Sequence, residues 1–250
     1  MADSVFTVIN ENSDCPLVLT CEHASVQIPV EYHNLGLPPE ELDRHIARDK
    51  GVKEVTELLA KELGCFAVMG NYSRLLIDLN RRPQEDELIV KVSDGTVVPG
   101  NADISAEERQ KRLDVYYKPY YAAIERQIEH LQKKGIKPVV FSVHSYTPQL
   151  RGGAYRPWQA GILWHKPVQL ASFLFENLRA DENKVIGANV PYDLRQYNTG
   201  AAVICGEEKG FDYGLIEIRD DEFDQLEQGA ADWSNRLGKA LKIYLTKILS

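Results

Sequence analysis

No apolar run in this 250-residue chain approaches the length that a membrane-spanning helix needs. The amino-terminal stretch MADSVFTVINENSD has no basic region followed by an apolar core, so no secretory signal is expected. Cysteine is scarce and scattered, at Cys15, Cys21, Cys65 and Cys205, and no two form a CxxC pair. That argues against a cysteine-held zinc site and, with no signal sequence, for reduced thiols in a cytoplasm. HExxH is missing too, which excludes the helical metalloprotease site of that type. There is no internal repeat, low-complexity segment or Pro/Gly/Ser-rich linker, so a single domain over residues 1–250 is expected. An excess of cations is also lacking. The 29 Lys and Arg against 37 Asp and Glu leave a net charge of −8, which speaks against nucleic acid as a partner. A small anionic substrate remains compatible, because a local pair of arginines can hold one.

What is present reads as an ordinary globular chain. Hydrophobic residues make up 44% and charged residues 26%, enough to build a core without disulfides. Leu17–Cys21 (LVLTC) reads as a buried strand ending in Glu22-His23-Ala24-Ser25. After Pro38-Pro39, Leu42, Ile46, Val52, Val55 and Leu59 recur at helical spacing, which predicts one helix to about Leu63, stopped by Gly64. Cys65–Met69 and Ser73–Leu79 read as further strands, and residues 84–104 as a loop with turns at Asp94-Gly95 and Pro99-Gly100. Ser105 and Glu108 form a capping box for a long helix to Lys134, bent at Pro119 and ended by Gly135. Lys137–Val143 is another buried strand, running into His144-Ser145. A loop over 147–160, a strand at Gly161–Trp164, a helix at Pro167–Arg179 and a strand at Tyr213–Ile218 follow. The closing helix carries Leu226, Ala230, Trp233, Leu237, Leu241, Tyr244 and Ile248 on one face. Strands alternating with long helices predict an α/β sandwich around a largely parallel sheet, with ligands at the carboxyl ends of its strands.

Chemistry concentrates at those ends. His23 and His144 each follow an apolar strand directly. One such histidine is more often a carbonyl cap than a ligand, but two at equivalent positions point to a shared site. Asp49 lies in the apolar stripe between Ile46 and Val52, where an unpaired carboxylate would be costly. It therefore needs a strong partner, either a metal ion or an arginine such as Arg74. Two imidazoles and a carboxylate with a fourth position left for water is the pattern of catalytic zinc. Another divalent metal is compatible, and His45 and Glu22 compete with Asp49 as third ligand. Glu217, within Leu215-Ile216-Glu217-Ile218-Arg219, is equally a general base beside such a centre or half of an exposed pair with Arg219. Arg74, Asn80, Arg81 and Arg82 cluster in sequence, suited to a substrate carboxylate or simply to a solvated turn. The stretch Tyr197-Asn198-Thr199-Gly200 and the loop Arg151–Trp158 are candidate lid segments.

Taken together, these motifs resemble the N-formylglutamate amidohydrolase family. The matching pieces are Cys21-Glu22-His23-Ala24-Ser25 with Pro29, His45-Ile46-Ala47-Arg48-Asp49-Lys50-Gly51, and Ser73-Arg74-Leu75-Leu76-Ile77-Asp78-Leu79-Asn80-Arg81. Gly95-Thr96-Val97-Val98-Pro99-Gly100-Asn101, His144-Ser145-Tyr146-Thr147-Pro148 and Gly214-Leu215-Ile216-Glu217-Ile218-Arg219 complete the set, in order over residues 20 to 220. The resemblance implies a three-layer α/β/α sandwich with a mixed, largely parallel sheet, like the zinc carboxypeptidases and phosphorylase/hydrolase-like proteins. It implies one zinc on His23 and His144, Glu217 as general base, and Arg74, Asn80 and Arg81 on the substrate carboxylate. Arg74 would also steady the oxyanion, with Arg219 and Tyr197 as further substrate contacts. The implied substrate is a small anionic N-acyl amino acid, nominally N-formyl-L-glutamate. Where the carboxypeptidase HxxE pair would place an acid this chain has Val26, so Asp49 as third ligand is an inference and not part of the motif.

Overall fold

The computed structural model describes residues 4–166 and 168–249. In chain order the main elements are β1 (Phe6–Ile9), β2 (Leu17–Cys21), α1 (Pro39–Leu42), α2 (Val52–Leu63), β3 (Phe66–Gly70), β4 (Val92–Ser93) and β5 (Thr96–Val97). They continue with α3 (Ala106–Arg112), α4 (Lys118–Lys133), β6 (Val139–Tyr146), β7 (Ala160–Leu163), α5 (Gln169–Arg179), β8 (Ile186–Ala188), β9 (Asp212–Arg219) and α6 (Leu226–Leu249). Seven strands form one sheet in the order β1-β3-β2-β6-β9-β7-β8, while β4 and β5 make a separate ribbon. The central strands β3, β2, β6 and β9 are parallel. At the flanks β1 runs antiparallel to β3 and β7 antiparallel to β9, with β8 parallel to β7.

Every residue of β2, β3 and β6 is buried, as expected for strands covered on both faces. Alternation along β2 shows the consequence. Leu17, Leu19 and Cys21 pack with Val55 and Leu59 of α2, Leu170 and Leu174 of α5, and Trp233 and Leu237 of α6. Val18 faces the other way, into a second core with Tyr120, Ile124, Ile128 and Leu131 of α4 and with Leu75, Leu76 and Ile77. Helices thus cover both faces, and the molecule is the three-layer α/β/α sandwich. Among the described residues no helix is long and apolar enough to cross a membrane.

From β2 the chain moves outward to β3 on one side, and from β6 it moves to β7 and β9 on the other. The β2/β6 boundary is therefore the point where strand order reverses, and their carboxyl ends flank a crevice.

Four expectations need correction or completion. The single helix through residue 49 is broken: α1 ends at Leu42, α2 starts at Val52, and Asp49 stands in the irregular segment between them. Gly51 has φ +79°, and a Cβ there would lie 2.2 Å from the Phe223 ring, so helix cannot run through it. Ser73–Leu79 is not a strand but a buried series of turns. Its carbonyls find partners other than a ladder: Asn101 Nδ2 donates to Leu75 O at 2.8 Å, and Arg112 Nη1 donates to Leu76 O at 2.9 Å. The long helix is interrupted before Pro119 by a π-helical turn at Leu113–Tyr117. Strands β1 and β8 were not anticipated. The expected helix start at Pro167 and the first three residues of the amino-terminal stretch lie outside the described residues.

Candidate active site

His23 stands two residues beyond β2, His144 lies within β6, and Glu217 lies opposite His144 in the β6/β9 register. Asp49 is clamped between the ends of β2 and β6. Its N–H donates to His23 O at 3.0 Å, and Ser145 N donates to its Oδ2 at 3.2 Å. Ser145 Oγ donates to Lys50 O at 2.8 Å, which fixes the same segment from its other side. All four side chains are buried: His23 and His144 are 1% exposed, Asp49 5% and Glu217 7%.

Both imidazoles turn the same nitrogen inward. His23 Nδ1 lies 3.3 Å and His144 Nδ1 3.0 Å from the one oxygen Asp49 Oδ2. The outward nitrogens meet carboxylates. His23 Nε2 lies 2.7 Å from Asp78 Oδ1. His144 Nε2 lies 3.1 Å from Glu22 Oε2, close but poorly aligned for a hydrogen bond. A proton on each Nε2, facing these carboxylates, would leave both Nδ1 lone pairs free. Two imidazole lone pairs and a carboxylate oxygen then converge, with ligand atoms all within 4.8 Å of one another. Such lone pairs repel unless protons or a cation sit between them. The donor set suits zinc, and a carboxylate behind each imidazole is the usual support of a metal-ligating histidine. The residues therefore fit a divalent cation. Of the competing ligands, His45 lies elsewhere, 3.6 Å from Asp94 Oδ2, and Glu22 approaches His144 from its outer edge.

Burial opposes charge on Asp49, yet the imidazoles of His23 and His144 hold its carboxyl well below the usual range. Burial likewise opposes charge on His144, and the Asp49 and Glu22 carboxylates push its pKa up. Asp78 is held low, against burial, by Arg74 and His23. Glu217 behaves in the opposite way. Burial pushes its pKa up to about 8, with His144 pulling against and Asp49 adding to the rise. Its Oε2 has no hydrogen-bond partner among the described residues.

The centre opens into a small cavity of about 210 Å³. Arg74, Asn80, Arg81, Tyr197 and Thr199 line it, as do Tyr192, Leu163, Leu194 and Leu215. Arg74 spans two carboxylates, with Nη1 3.4 Å from Asp49 Oδ1 and Nη2 3.0 Å from Asp78 Oδ2. Asn80 is held by its N–H on Asp78 Oδ1 at 2.8 Å and by Thr199 Oγ1 on its carbonyl at 3.0 Å. Gly200, at φ +87°, leaves the room this needs, because a Cβ there would lie 2.2 Å from Asn80 Oδ1. Arg81 stays 28% exposed, its Nε 4.0 Å from Asp78 Oδ2.

The structure thus brings His23, Asp49, Arg74, Asn80, Arg81, His144, Tyr197 and Glu217 around one cavity. Arg219 does not join them. Its guanidinium donates to Asp221 Oδ1 and to the carbonyls of Arg156 and Pro157, which ties down the loop before β7. Arg82 is likewise turned away, onto Asn198 O and Glu208. Sequence reading missed Tyr192, whose hydroxyl accepts from Arg156 Nη1 at 3.2 Å, and the apolar wall of Leu163, Leu194 and Leu215. Asp78 entered the sequence reading only as one residue of the Ser73–Arg81 motif, with no role of its own. Its placement directly after an apolar run was the signal available.

Fold and site together define a class: an α/β/α sandwich with a buried imidazole–carboxylate centre at the reversal point of its sheet. Within that class, the model of the N-formylglutamate amidohydrolase family matches residues 15–223, and the chain belongs to that family. It is 27% identical over 115 residues to the N-formylglutamate deformylase of Pseudomonas putida, a match that covers 41% of this chain and 43% of that relative's length. The crystal structure of the Agrobacterium tumefaciens gene product Atu2144 superposes with a TM-score of 0.90 at 29% identity, covering 99% of this chain and 97% of that one. The N-formylglutamate amidohydrolase of Ralstonia eutropha JMP134 superposes with a TM-score of 0.72 at 20% identity, covering 98% and 99%, and so shares the fold.

Proposed function

We propose that this chain is a zinc-dependent amidohydrolase that cleaves the amide bond of a small anionic N-acyl amino acid, nominally N-formyl-L-glutamate. The observation that carries this reading is the convergence of His23 Nδ1, His144 Nδ1 and Asp49 Oδ2, with the unpartnered Glu217 carboxyl on the adjacent strand. A divalent cation held by these three residues would polarise the scissile carbonyl and acidify a water.

The chain's own residues supply the rest. Glu217 takes the proton of the attacking water and returns it to the departing nitrogen. Its buried carboxyl, with Oε2 unpartnered among the described residues, is free to accept a proton and to donate it again. Arg74 steadies the negative charge that develops on the acyl oxygen, from a position already fixed by Asp49 and Asp78. Arg81 and Asn80 hold the substrate carboxylate at the open side, with Tyr197 beside them. Buried walls exclude bulk water and strengthen each of these interactions.

Leu163, Leu194 and Leu215 favour a second reading, in which part of the substrate is apolar. A panel of N-acyl amino acids separates the two. Formate release from N-formyl-L-glutamate, with one metal ion bound per chain, is the expected result, and a preference for apolar analogues supports the second reading. Glu217→Gln should retain the metal and lose about 10²–10⁴-fold in kcat. Full turnover in that variant would remove Glu217 from the chemistry.

A further inference from the structure

At the opposite end of the sheet from this centre, Cys15 and Cys65 meet. Cys15 lies two residues before β2, and Cys65 immediately before β3. Continuing the parallel register Val18↔Phe66 by one step sets Cys65 opposite Leu17. Side chains bind the two segments together. Ser13 Oγ donates to Gly64 O at 2.6 Å, Asn10 Nδ2 donates to Cys65 O at 2.9 Å, and Cys15 N donates to Ser13 Oγ at 3.1 Å. The two thiols are close enough to perturb one another, which lowers the pKa of Cys15 and, with burial, raises that of Cys65. Cys15 is half-buried whereas Cys65 is buried, so the more acidic thiol is also the more accessible. Low pKa, access and a second sulfur close by are the attributes of an oxidisable pair.

We propose that Cys15 and Cys65 form a reversible disulfide when the protein meets a hydroperoxide, with Cys15 as the attacking and Cys65 as the resolving residue. The Cys15 thiolate attacks one peroxide oxygen, the O–O bond breaks, and hydroxide leaves. Cys15 is thereby oxidised by two electrons to the sulfenic acid. The Cys65 sulfur then attacks the Cys15 sulfur, loses its proton, and displaces hydroxide, which departs as water. The balance is two thiols and one hydrogen peroxide giving one disulfide and two waters. The remaining cysteines serve as internal controls. Cys21 and Cys205 are fully buried, and burial, with nearby carboxylates, raises both of their pKa values.

The bond would close the chain between positions 15 and 65 into a loop while leaving the imidazole centre untouched, so it should raise the melting temperature without changing turnover. The test treats the intact protein with one equivalent of hydrogen peroxide, then alkylates the unfolded chain and maps its peptides. The expected result is a 15–65 crosslinked peptide lighter by two hydrogens, two alkylated cysteines at 21 and 205, and full reversal by dithiothreitol. Cys65→Ser should then trap the Cys15 sulfenic acid as a dimedone adduct. Four alkylated cysteines, a crosslink between any other pair, or overoxidised Cys15 beside a free Cys65 would overturn the proposal. The mapping of the native chain decides this even if Cys65→Ser fails to fold.

Discussion

At the scale of single residues, the centre depends on which nitrogen of each imidazole faces inward. Nothing in an isolated histidine decides this. It is decided by what lies behind the ring: Asp78 behind His23 and Glu22 behind His144. Glu22 is itself steadied by Thr20, whose Oγ1 donates to Glu22 Oε1 at 3.0 Å, and Thr20 shares a 2.6 Å hydroxyl contact with Ser142 on β6. The pair of hydroxyls and the glutamate form a polar layer beneath His144, buried between β2 and β6. On the proposed reading, Glu22→Gln keeps the shape but loses the charge that makes the imidazole a strong donor. Metal affinity, measured by competition with a chelator, should fall about 10- to 100-fold. An unchanged dissociation constant would show that Glu22 does not act on His144.

At the scale of elements, the site is assembled from strand ends and from two segments that are neither helix nor strand. The strand ends were legible: an apolar run with a histidine within two residues of its end occurs at Leu17–Cys21 and again at Val139–Val143. The irregular segments were not, because hydrophobic periodicity reports burial and not backbone hydrogen bonding. Ile46 and Val52 are buried as their spacing required, but on a segment broken at the left-handed Gly51. Leu75–Ile77 is as apolar as a strand, yet its carbonyls are met by Asn101 and Arg112 from far along the chain. Arg112 is only 2% exposed, and Nη1 donates both to Leu76 O and, at 2.8 Å, to Asn101 Oδ1. Arg112→Met would fill the space but leave both acceptors buried and unpaired. The expected cost is about 2–4 kcal/mol of stability by denaturant unfolding, together with reduced turnover, because this segment carries Arg74 and Asp78. A variant as stable as the parent would show that water replaces the guanidinium.

At the scale of the whole molecule, several carboxylates are ionised because the fold surrounds them with donors, and folding is thereby coupled to pH. Glu207 is one such case. Burial opposes its charge, but Lys166, the Tyr213 hydroxyl and His165 Nδ1 at 2.8 Å lower its pKa from 4.5 to about 2. These contacts tie the turn after β7 to the segment before β9, so they exist only when the sheet is assembled. Because the folded-state pKa lies below the unfolded one, the unfolded chain binds the extra proton more readily. Stability from this group is therefore complete above about pH 4.5 and is lost as the pH falls through about 2. Glu207→Gln should melt at a lower temperature than the parent at pH 7. The gap should narrow steadily through the acid range and close near pH 2. A gap that stayed constant from pH 7 to pH 2 would mean that Glu207 contributes by packing and neutral hydrogen bonds rather than by its charge.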